Sequence, residues 1–418
     1  MPLELQDEVL HNGVRVITEY NAAAKSTSLG LWVNTGSRDE GESLWGCSHF
    51  LEHLLFKGTE TRSVKEISSL IENRGGYLNA FTDRDMTAYH ARILSRDQDT
   101  ATELLFDMLE NSLLRAPDIG MERQVILEEI KQAHDDPATL IHDLYAENIW
   151  RGSKAAHPIL GTSETISKMP LEDIRDYYEE NYAGNMIVVA AGAVNRENLV
   201  SSIENLSKKG RGKHAKDRCK PEYFSGRKYI PRDTGQVQLS ISTEGRPYAS
   251  NDYAAQSIIS SYLGLGASSR LFQEVREKRG LVYNIYTYNQ SLSDVGAFSV
   301  FAGTSKKYLG EVVEIILREL EEMKQGLDPE TLETVKHKTI GLFVLGSESN
   351  RQRMHHLGVS TLRFGRPRTI EEVVSGLDSV SDDDIQRVAE MMFDREKIAF
   401  TALGVFEAEA GNIESLIQ

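Results

Sequence analysis

The sequence has 418 residues, more than one hydrophobic core normally supports, which predicts two or three domains. Hydrophobic residues make up 40% and charged residues 26%, a composition that excludes disordered and fibrous proteins and indicates a globular one. The 63 acidic and 47 basic residues give a formal net charge of -16, which argues against nucleic acid and anionic lipid surfaces as partners.

The cysteine count and the first residues indicate where the protein works. The two cysteines, Cys47 and Cys219, are far too few for a disulfide framework, which favours a reducing compartment. The opening segment MPLELQDEVLHNGV lacks the basic head and apolar core of a signal peptide, and no apolar run reaches the length of a membrane span. We therefore predict a cytoplasmic protein without a membrane segment.

The first third of the sequence predicts a sheet that is followed by helices. The segments LELQDEV and VRVITEY flank Asn12-Gly13, a strong hairpin signal, and STSLGLWVNT follows as a third strand. Ser63 and Glu66 have the spacing of a helix capping box. Periodicity predicts helices over 44–56, 63–74, 100–114 and 121–133, and strands over 77–81 and 87–93. This mixture predicts an α+β fold, with helices packed on one face of a largely antiparallel sheet.

An internal repeat divides the sequence into two similar halves. The segment MPLEDIRDYYEENYAGNMIVVAAGAV has an echo in VSDDDIQRVAEMMFDREKIAFTALGVF, with Ile174 matching Ile385 at an offset of 211 residues. Each segment predicts a helix that leads into a strand. Between the halves lies the segment SKKGRGKHAKDRCKPEYFSGRKY, which is rich in Lys, Arg and Gly. It could be a patch that binds nucleic acid, but in so acidic a chain we interpret it as a solvated linker. We place the boundary near residue 215.

The segment HFLEH, His49 to His53, lies in an apolar stretch that predicts a helix. Residues i and i+4 share one helix face, so His49 and His53 can direct both imidazoles at one metal ion, while Glu52 lies beside the ion without binding it. This arrangement suits zinc hydrolysis, in which a free glutamate takes a proton from zinc-bound water. The alternative is a chance string of two helix histidines and a surface glutamate, and the apolar context favours the metal.

The sequence alone does not identify a third metal ligand among its 63 acidic residues. One candidate cluster lies in MERQVILEEIKQAH, where Glu122 and Glu129 are two turns apart on one helix face and Glu128 faces elsewhere. A solvated acidic helix is the alternative explanation for these glutamates.

These segments together resemble the pitrilysin family of zinc metallopeptidases, the inverzincins, which include short bacterial proteins and the β subunit of mitochondrial processing peptidase. The separation of 76 positions from His53 to Glu129 also matches that family. The resemblance implies His49, His53 and Glu129 as ligands of one zinc ion per chain and Glu52 as the general base. It further implies that Glu122 is a carboxylate that orients one of the ligands.

The resemblance extends over nearly the whole sequence. In the second half, ISSYL occupies the place of HFLEH and has no histidine or acid, which predicts a metal-free half. The segment LGLGASSRLFQEVREKRGLVYNIY resembles the family signature in which Arg276 and Tyr283 reach the substrate. Without the resemblance, Tyr283 would be assigned to a strand core and Arg276 to a solvated helix.

The segment GGYLNAFTDRDMTAYH resembles the family's substrate-binding edge strand, which implies that Asn79, Ala80 and Phe81 pair with peptide substrates. An ordinary buried strand is the alternative. In that family, the peptide is held in a chamber enclosed by two facing halves.

We therefore predict a zinc-dependent endopeptidase of flexible or unfolded peptides. Residues 1–215 are the predicted zinc-binding catalytic half, and residues 216–418 the homologous metal-free half that contributes substrate-binding residues. Larger members of the family carry four such halves in one chain, and the resemblance therefore implies a homodimer for a chain of two halves. Two alternatives stay open: a non-catalytic scaffold or partner subunit of the same family, and a metal-dependent hydrolase of other substrates. The natural substrate, the cleavage preference and the need for a second, non-identical subunit are also open.

Overall fold

The structure is a computed structural model that describes residues 3–182, 185–207, 218–405, 411 and 415–416. Residues 208–217, ten of the 23 residues of the predicted linker, lie outside the described part of the chain.

Helices and strands alternate along the described chain, and none of these helices combines the length and hydropathy that crossing a bilayer requires. The α-helices are α1 Cys47–Leu54, α2 Val64–Glu72, α3 Gln98–Glu110, α4 Ala116–Asp135, α5 Pro137–Ile149, α6 Ser163–Lys168, α7 Leu171–Asn181, α8 Arg196–Leu206, α9 Tyr253–Gly264, α10 Leu309–Glu322, α11 Pro329–Gly346, α12 Asn350–Phe364, α13 Ile370–Asp378 and α14 Asp382–Met392. The strands are β1 Glu4–Val9, β2 Arg15–Tyr20, β3 Ser26–Val33, β4 Tyr77–Thr82, β5 Thr87–Leu94, β6 Met186–Gly192, β7 Arg227–Ile230, β8 Val237–Gly245, β9 Val282–Ser291, β10 Gly296–Thr304 and β11 Ala399–Leu403.

The first of two folded units contains residues 1–131, 157–219 and 346–369. Its sheet has the order β1-β2-β6-β3-β5-β4, with one parallel pair, β2 and β6. Strand β4 lies at the edge of this sheet and pairs with β5, Ala80 opposite Tyr89. Its other edge therefore faces away from the sheet.

Alternation along β3 divides the first unit into two layers. Leu31 joins the core that includes Phe50, Leu51 and Leu54 of α1, whereas its neighbour Trp32 points to the opposite face. There Trp32 packs against α12, and Gly358 makes that approach possible, because a Cβ at this position would lie 2.3 Å from the indole ring. Both faces of the sheet are thus covered.

The second unit contains residues 132–156, 220–345 and 370–418. Its sheet has the order β7-β11-β8-β10-β9, again with one parallel pair, β7 and β11. One face packs on α9, α10 and α14, with Ile259, Val313 and Ile385 in the shared core. Helix α5 covers the other face, where Ile149 lies in a cluster with Phe301.

The predicted α+β class with two largely antiparallel sheets is confirmed. Gly13 has φ 87° in the predicted hairpin, and the Ser63–Glu66 capping box is formed. The prediction missed α5 and α12, which cover the second face of each sheet. The division into homologous halves near residue 215 stays a prediction, and each folded unit also includes a segment from the other side of that position.

Candidate metal centre

Helix α1 carries HFLEH and begins later than the sequence predicted, at Cys47, because Gly46 precedes it with φ 92°. Its first turn is capped by the side chain of Glu40, which accepts hydrogen bonds from the backbone N–H groups of Gly46 and Ser48, both at 2.7 Å. Burial raises the pKa of Glu40 to about 8, and the two hydrogen bonds offset only part of that effect. These bonds fix where the helix starts, and so where its histidines lie.

Three side chains meet at one end of α1. The Nε2 atoms of His49 and His53 lie 3.8 and 3.6 Å from Oε2 of Glu129 on α4. All three ligand atoms lie within 4.8 Å of one another, and they are the one such group of three or more metal-binding side chains found in the described part of the chain. The structure thus places the three predicted ligands together.

The spacing of these atoms fits zinc. Zinc bonds of about 2.0–2.2 Å in a tetrahedron put neighbouring ligand atoms roughly 3.4 Å apart. The two measured separations, 3.8 and 3.6 Å, are close to this value and too long for hydrogen bonds. Burial and the nearby His53 lower the pKa of His49 to about 3, so this imidazole is neutral at pH 7 and can bind a metal.

Glu122 lies behind His53 rather than among the ligand atoms. Its Oε2 is 3.0 Å from Nδ1 of His53, and its Oε1 is 2.6 Å from Nζ of Lys57. This is the position of a carboxylate that orients a metal-binding histidine. Glu128, one residue before Glu129, has a 77% exposed side chain that pairs with Lys131.

Glu52 lies on the same turn of α1 and points to the end of β4. The hydroxyl of Thr82 donates a hydrogen bond of 2.7 Å to its Oε2 atom. Burial raises the pKa of Glu52, and the bond from Thr82 offsets part of that rise. A carboxylate held beside a metal group but outside it has the position of a general base.

The three predicted substrate-binding residues lie on β4, the edge strand. The N–H of Ala80 donates to the side-chain oxygen of Asn79 at 2.9 Å. The ring of Phe81 meets Trp32 edge to face, with centroids 5.5 Å apart. Strand β4 pairs on one side with β5 and ends the sheet, so it is not a central strand, and the pairing of substrates with it stays a prediction.

Comparison with known proteins identifies the family of this chain. Residues 15–163 match the family described as insulinase, peptidase family M16, and residues 168–339 match the peptidase M16 inactive domain. An uncharacterized zinc protease of Streptomyces coelicolor is 35% identical over 91% of this chain and 85% of its own length. The chain belongs to peptidase family M16. A second uncharacterized zinc protease, YmxG of Bacillus subtilis, is 32% identical over 91% of this chain and 94% of its own length.

Solved structures show the same M16 fold. A protease from Helicobacter pylori superposes with a TM-score of 0.88 at 21% identity, covering 96% of this chain and 100% of its own. A peptidase M16 inactive domain from Pseudomonas fluorescens also has a TM-score of 0.88, at 19% identity, with coverage of 97% and 99%. The predicted resemblance to the pitrilysin, or insulinase, family is confirmed.

The second unit, which includes most of the match to the M16 inactive domain, carries the other two predicted site residues. Arg276 lies in a π-helical turn, Phe272–Glu277, with its guanidinium carbon 4.7 Å from the Phe272 ring centre and 5.4 Å from that of Tyr283. The Tyr283 residue is 73% exposed, so it is not the strand-core residue that the sequence alone suggested. The segment ISSYL, which takes the place of HFLEH in the second half of the sequence, lies on α9. There the carbonyl of Ser261 accepts a hydrogen bond from Lys338 at 3.3 Å.

Three polar residues around the candidate metal centre were missed at the sequence level: Glu40, Lys57 and Thr82. Lys57 lies beyond the end of α1 and contacts Glu122 of α4. None of the three offered a signal, because their contacts depend on how a loop, α4 and β4 pack around α1.

Proposed function

We propose that this M16 protein is a zinc-dependent endopeptidase that hydrolyses peptide bonds in flexible or unfolded peptides. The observation that carries the proposal is that ligand atoms of His49, His53 and Glu129 lie within 4.8 Å of one another. Glu52 is outside this group and is bound by the hydroxyl of Thr82. His49, His53 and Glu129 would hold the zinc, and a set of three protein ligands is typical of catalytic rather than structural sites. Relatives named zinc proteases support the same activity.

Different residues of the chain have different roles in the proposed reaction. Zinc, when bound, supplies a Lewis acid that activates water. Glu52 takes the proton from the attacking water and delivers it to the amine that leaves. Arg276 and Tyr283 donate hydrogen bonds to peptide carbonyls and to the negative charge that develops on the attacked carbonyl.

The edge strand β4 is the proposed binding surface for the peptide. A substrate added beside Asn79, Ala80 and Phe81 is held by main-chain hydrogen bonds that do not depend on side-chain identity, so recognition is broad. Only an extended backbone can join a strand edge, and an enclosed chamber like that of the family excludes folded proteins. Flexible peptides of a few tens of residues are therefore the proposed substrates, in the cytoplasm.

A homodimer is the proposed assembly. The chain has one zinc-binding half and one metal-free half with Arg276 and Tyr283, whereas larger members of the family carry four such halves and use the arginine and tyrosine of the last at the zinc of the first. In the proposed dimer, Arg276 and Tyr283 of one subunit serve the zinc site of the other. The exposure of Tyr283, 73%, leaves its hydroxyl accessible to such a partner.

The deciding experiment measures zinc content and hydrolysis of quenched peptides in matched variants. Glu52→Gln is expected to keep about one zinc per chain and to lose roughly a hundred- to ten-thousand-fold in rate. His49→Ala, His53→Ala and Glu129→Ala are expected to lose zinc. Glu128→Gln, the neighbouring exposed glutamate, is the control that retains both. Near-normal turnover by Glu52→Gln would contradict the role of that residue.

The same experiment separates the alternatives. If the wild-type protein binds zinc and peptides but cleaves none of the peptides tested, it is a non-catalytic partner subunit. Chelator-sensitive cleavage of esters or other small substrates, but of no peptide, would indicate a different zinc hydrolase.

A further inference from the structure

The carboxylate of Glu52 is held by one residue of the edge strand. Thr82 donates its hydroxyl hydrogen to Oε2 of Glu52 at 2.7 Å. Within the described chain, Thr82 is the sole donor of hydrogen bonds to this side chain. Helix α1 thus supplies the proposed base, and β4 fixes where its oxygen atoms lie.

Glu52 needs such a restraint because it directly precedes His53, one of the proposed metal ligands. A glutamate side chain has three rotatable bonds, so an unrestrained Glu52 can turn toward the metal ligands instead of toward a water molecule. With Oε2 occupied by Thr82, Oε1 stays available to accept a proton.

We infer that Thr82 is a positioning residue that holds Glu52 for proton transfer and thereby links the peptide-binding strand to the base. This inference rests on the proposed function. Thr82 is the last residue of β4, two positions after Ala80, and pairs with Thr87 of β5. The strand that aligns the peptide backbone is therefore also the strand that sets the distance from the base to the scissile bond. The placement of Glu52 does not depend on α1 alone.

The test compares three side chains at position 82 in zinc-loaded enzyme. Valine has the shape of threonine and suits a strand, but it has no hydroxyl, whereas serine keeps the hydroxyl and loses a methyl group. We expect Thr82→Val to lower kcat by about ten-fold and to change KM by less than about two-fold, because the loss falls on the chemical step. We expect Thr82→Ser to stay within about three-fold of wild type, and all three proteins to bind the same amount of zinc.

A double variant tests whether Thr82 acts through Glu52. Once Glu52→Gln has removed the base, adding Thr82→Val is expected to cost no further activity, since residues that act as a unit are not additive. A separate ten-fold loss in that background, on the order of the loss in the wild-type background, would contradict the inference. If valine disturbs folding, as judged by thermal unfolding, Thr82→Ala is the second variant without a hydroxyl and must show the same fall in kcat.

The outcomes distinguish this inference from the proposed function. Wild-type hydrolysis that is lost in Glu52→Gln but unchanged in Thr82→Val overturns the role of Thr82 and leaves the peptidase in place. A rise in KM with unchanged kcat places Thr82 on the substrate and also overturns it. Wild-type protein without chelator-sensitive hydrolysis overturns the proposed function itself.

Discussion

Nδ1 of His53 lies 3.0 Å from Oε2 of Glu122, while Nε2 of the same ring faces Glu129 at 3.6 Å. A carboxylate only accepts, so Glu122 favours the tautomer of His53 that carries its proton on Nδ1 and leaves Nε2 free for a metal. Lys57 holds the other oxygen of Glu122 at 2.6 Å. The series Lys57, Glu122 and His53 thus orients one metal ligand from outside the ligand group.

This relationship predicts that Glu122→Gln weakens zinc binding by about ten- to a hundred-fold, because the amide can present its N–H₂ group to the ring and holds the tautomer less firmly. Competition with a chromogenic chelator measures the zinc affinity. Glu128→Gln, on the exposed side of the same helix, is expected to bind zinc as the wild type does. Equal affinities for the two variants would contradict the orienting role of Glu122.

The site shows how far sequence reasoning extends. The four-residue spacing of His49 and His53 placed both on one face of a local helix, and tertiary structure was not needed for that step. Glu129 lies 76 positions after His53 and meets it only through packing of α4 on α1, so spacing alone left Glu129 among several acids and only the family resemblance selected it. Glu40 and Thr82 reach α1 from a loop and from a strand, and no local pattern encodes such contacts.

The same limit applies to the fold. The first five strands and the hairpin at Asn12-Gly13 follow local patterns, and they were predicted. Helix α12 was missed because its apolar side packs on a sheet that lies more than 300 residues earlier in the sequence. Met354 of α12 packs there beside Trp32. Periodicity identifies an amphipathic helix, but it does not identify the surface that the helix covers.

The proposed dimer predicts that two inactive variants rescue each other. Mixed Glu52→Gln and Tyr283→Phe subunits form one site with an intact base and an intact tyrosine, so peptide hydrolysis should partly return after subunit exchange. The control mixes Glu52→Gln with His49→Ala. Each substitution damages the zinc site of its own subunit, so no mixed dimer has a complete site. Exchange is verified with differently labelled subunits. Absence of rescue under proven exchange would contradict the shared site.

The edge position of β4 predicts the effect of Ala80→Pro. Proline removes the N–H that Ala80 directs to Asn79, and an edge strand tolerates that loss better than a central one. We expect KM to rise for many unrelated peptides while zinc content and the dimer persist. Peptide kinetics, elemental analysis and sedimentation measure the three quantities. A variant with unchanged KM for all peptides would show that substrates do not pair with this edge.

The enclosed chamber predicts a preference for unfolded substrates. A stably folded protein and its reduced, unfolded form have the same sequence, so a difference in cleavage rate reports access alone. We expect the unfolded form to be digested and the folded form to be nearly resistant, as followed by mass spectrometry. Equal digestion rates would contradict the chamber.

The buried Glu40 predicts a pH dependence of folding stability. Burial raises its pKa from 4.5 to about 8, so between these values the folded protein keeps a proton that the unfolded chain releases. Its contribution to stability is therefore fully present below about pH 4.5 and is lost as the pH rises through about 8. His49, His90 and His355 act in the opposite direction at acid pH, since burial lowers their pKa values to about 3, 4 and 4.

Between about pH 6.5 and 8, comparison with Glu40→Gln isolates Glu40, because the histidines contribute equally to the stability of both proteins. In urea titrations of metal-free protein, the free energy of unfolding of the wild type should fall with pH by up to about 1.4 kcal/mol per pH unit more steeply than that of Glu40→Gln. The physical question is which effect dominates, the cost of burying a charge or the two N–H bonds from Gly46 and Ser48 that favour it. Parallel slopes in the two proteins would mean that the hydrogen bonds dominate and that Glu40 caps the metal-binding helix as a carboxylate.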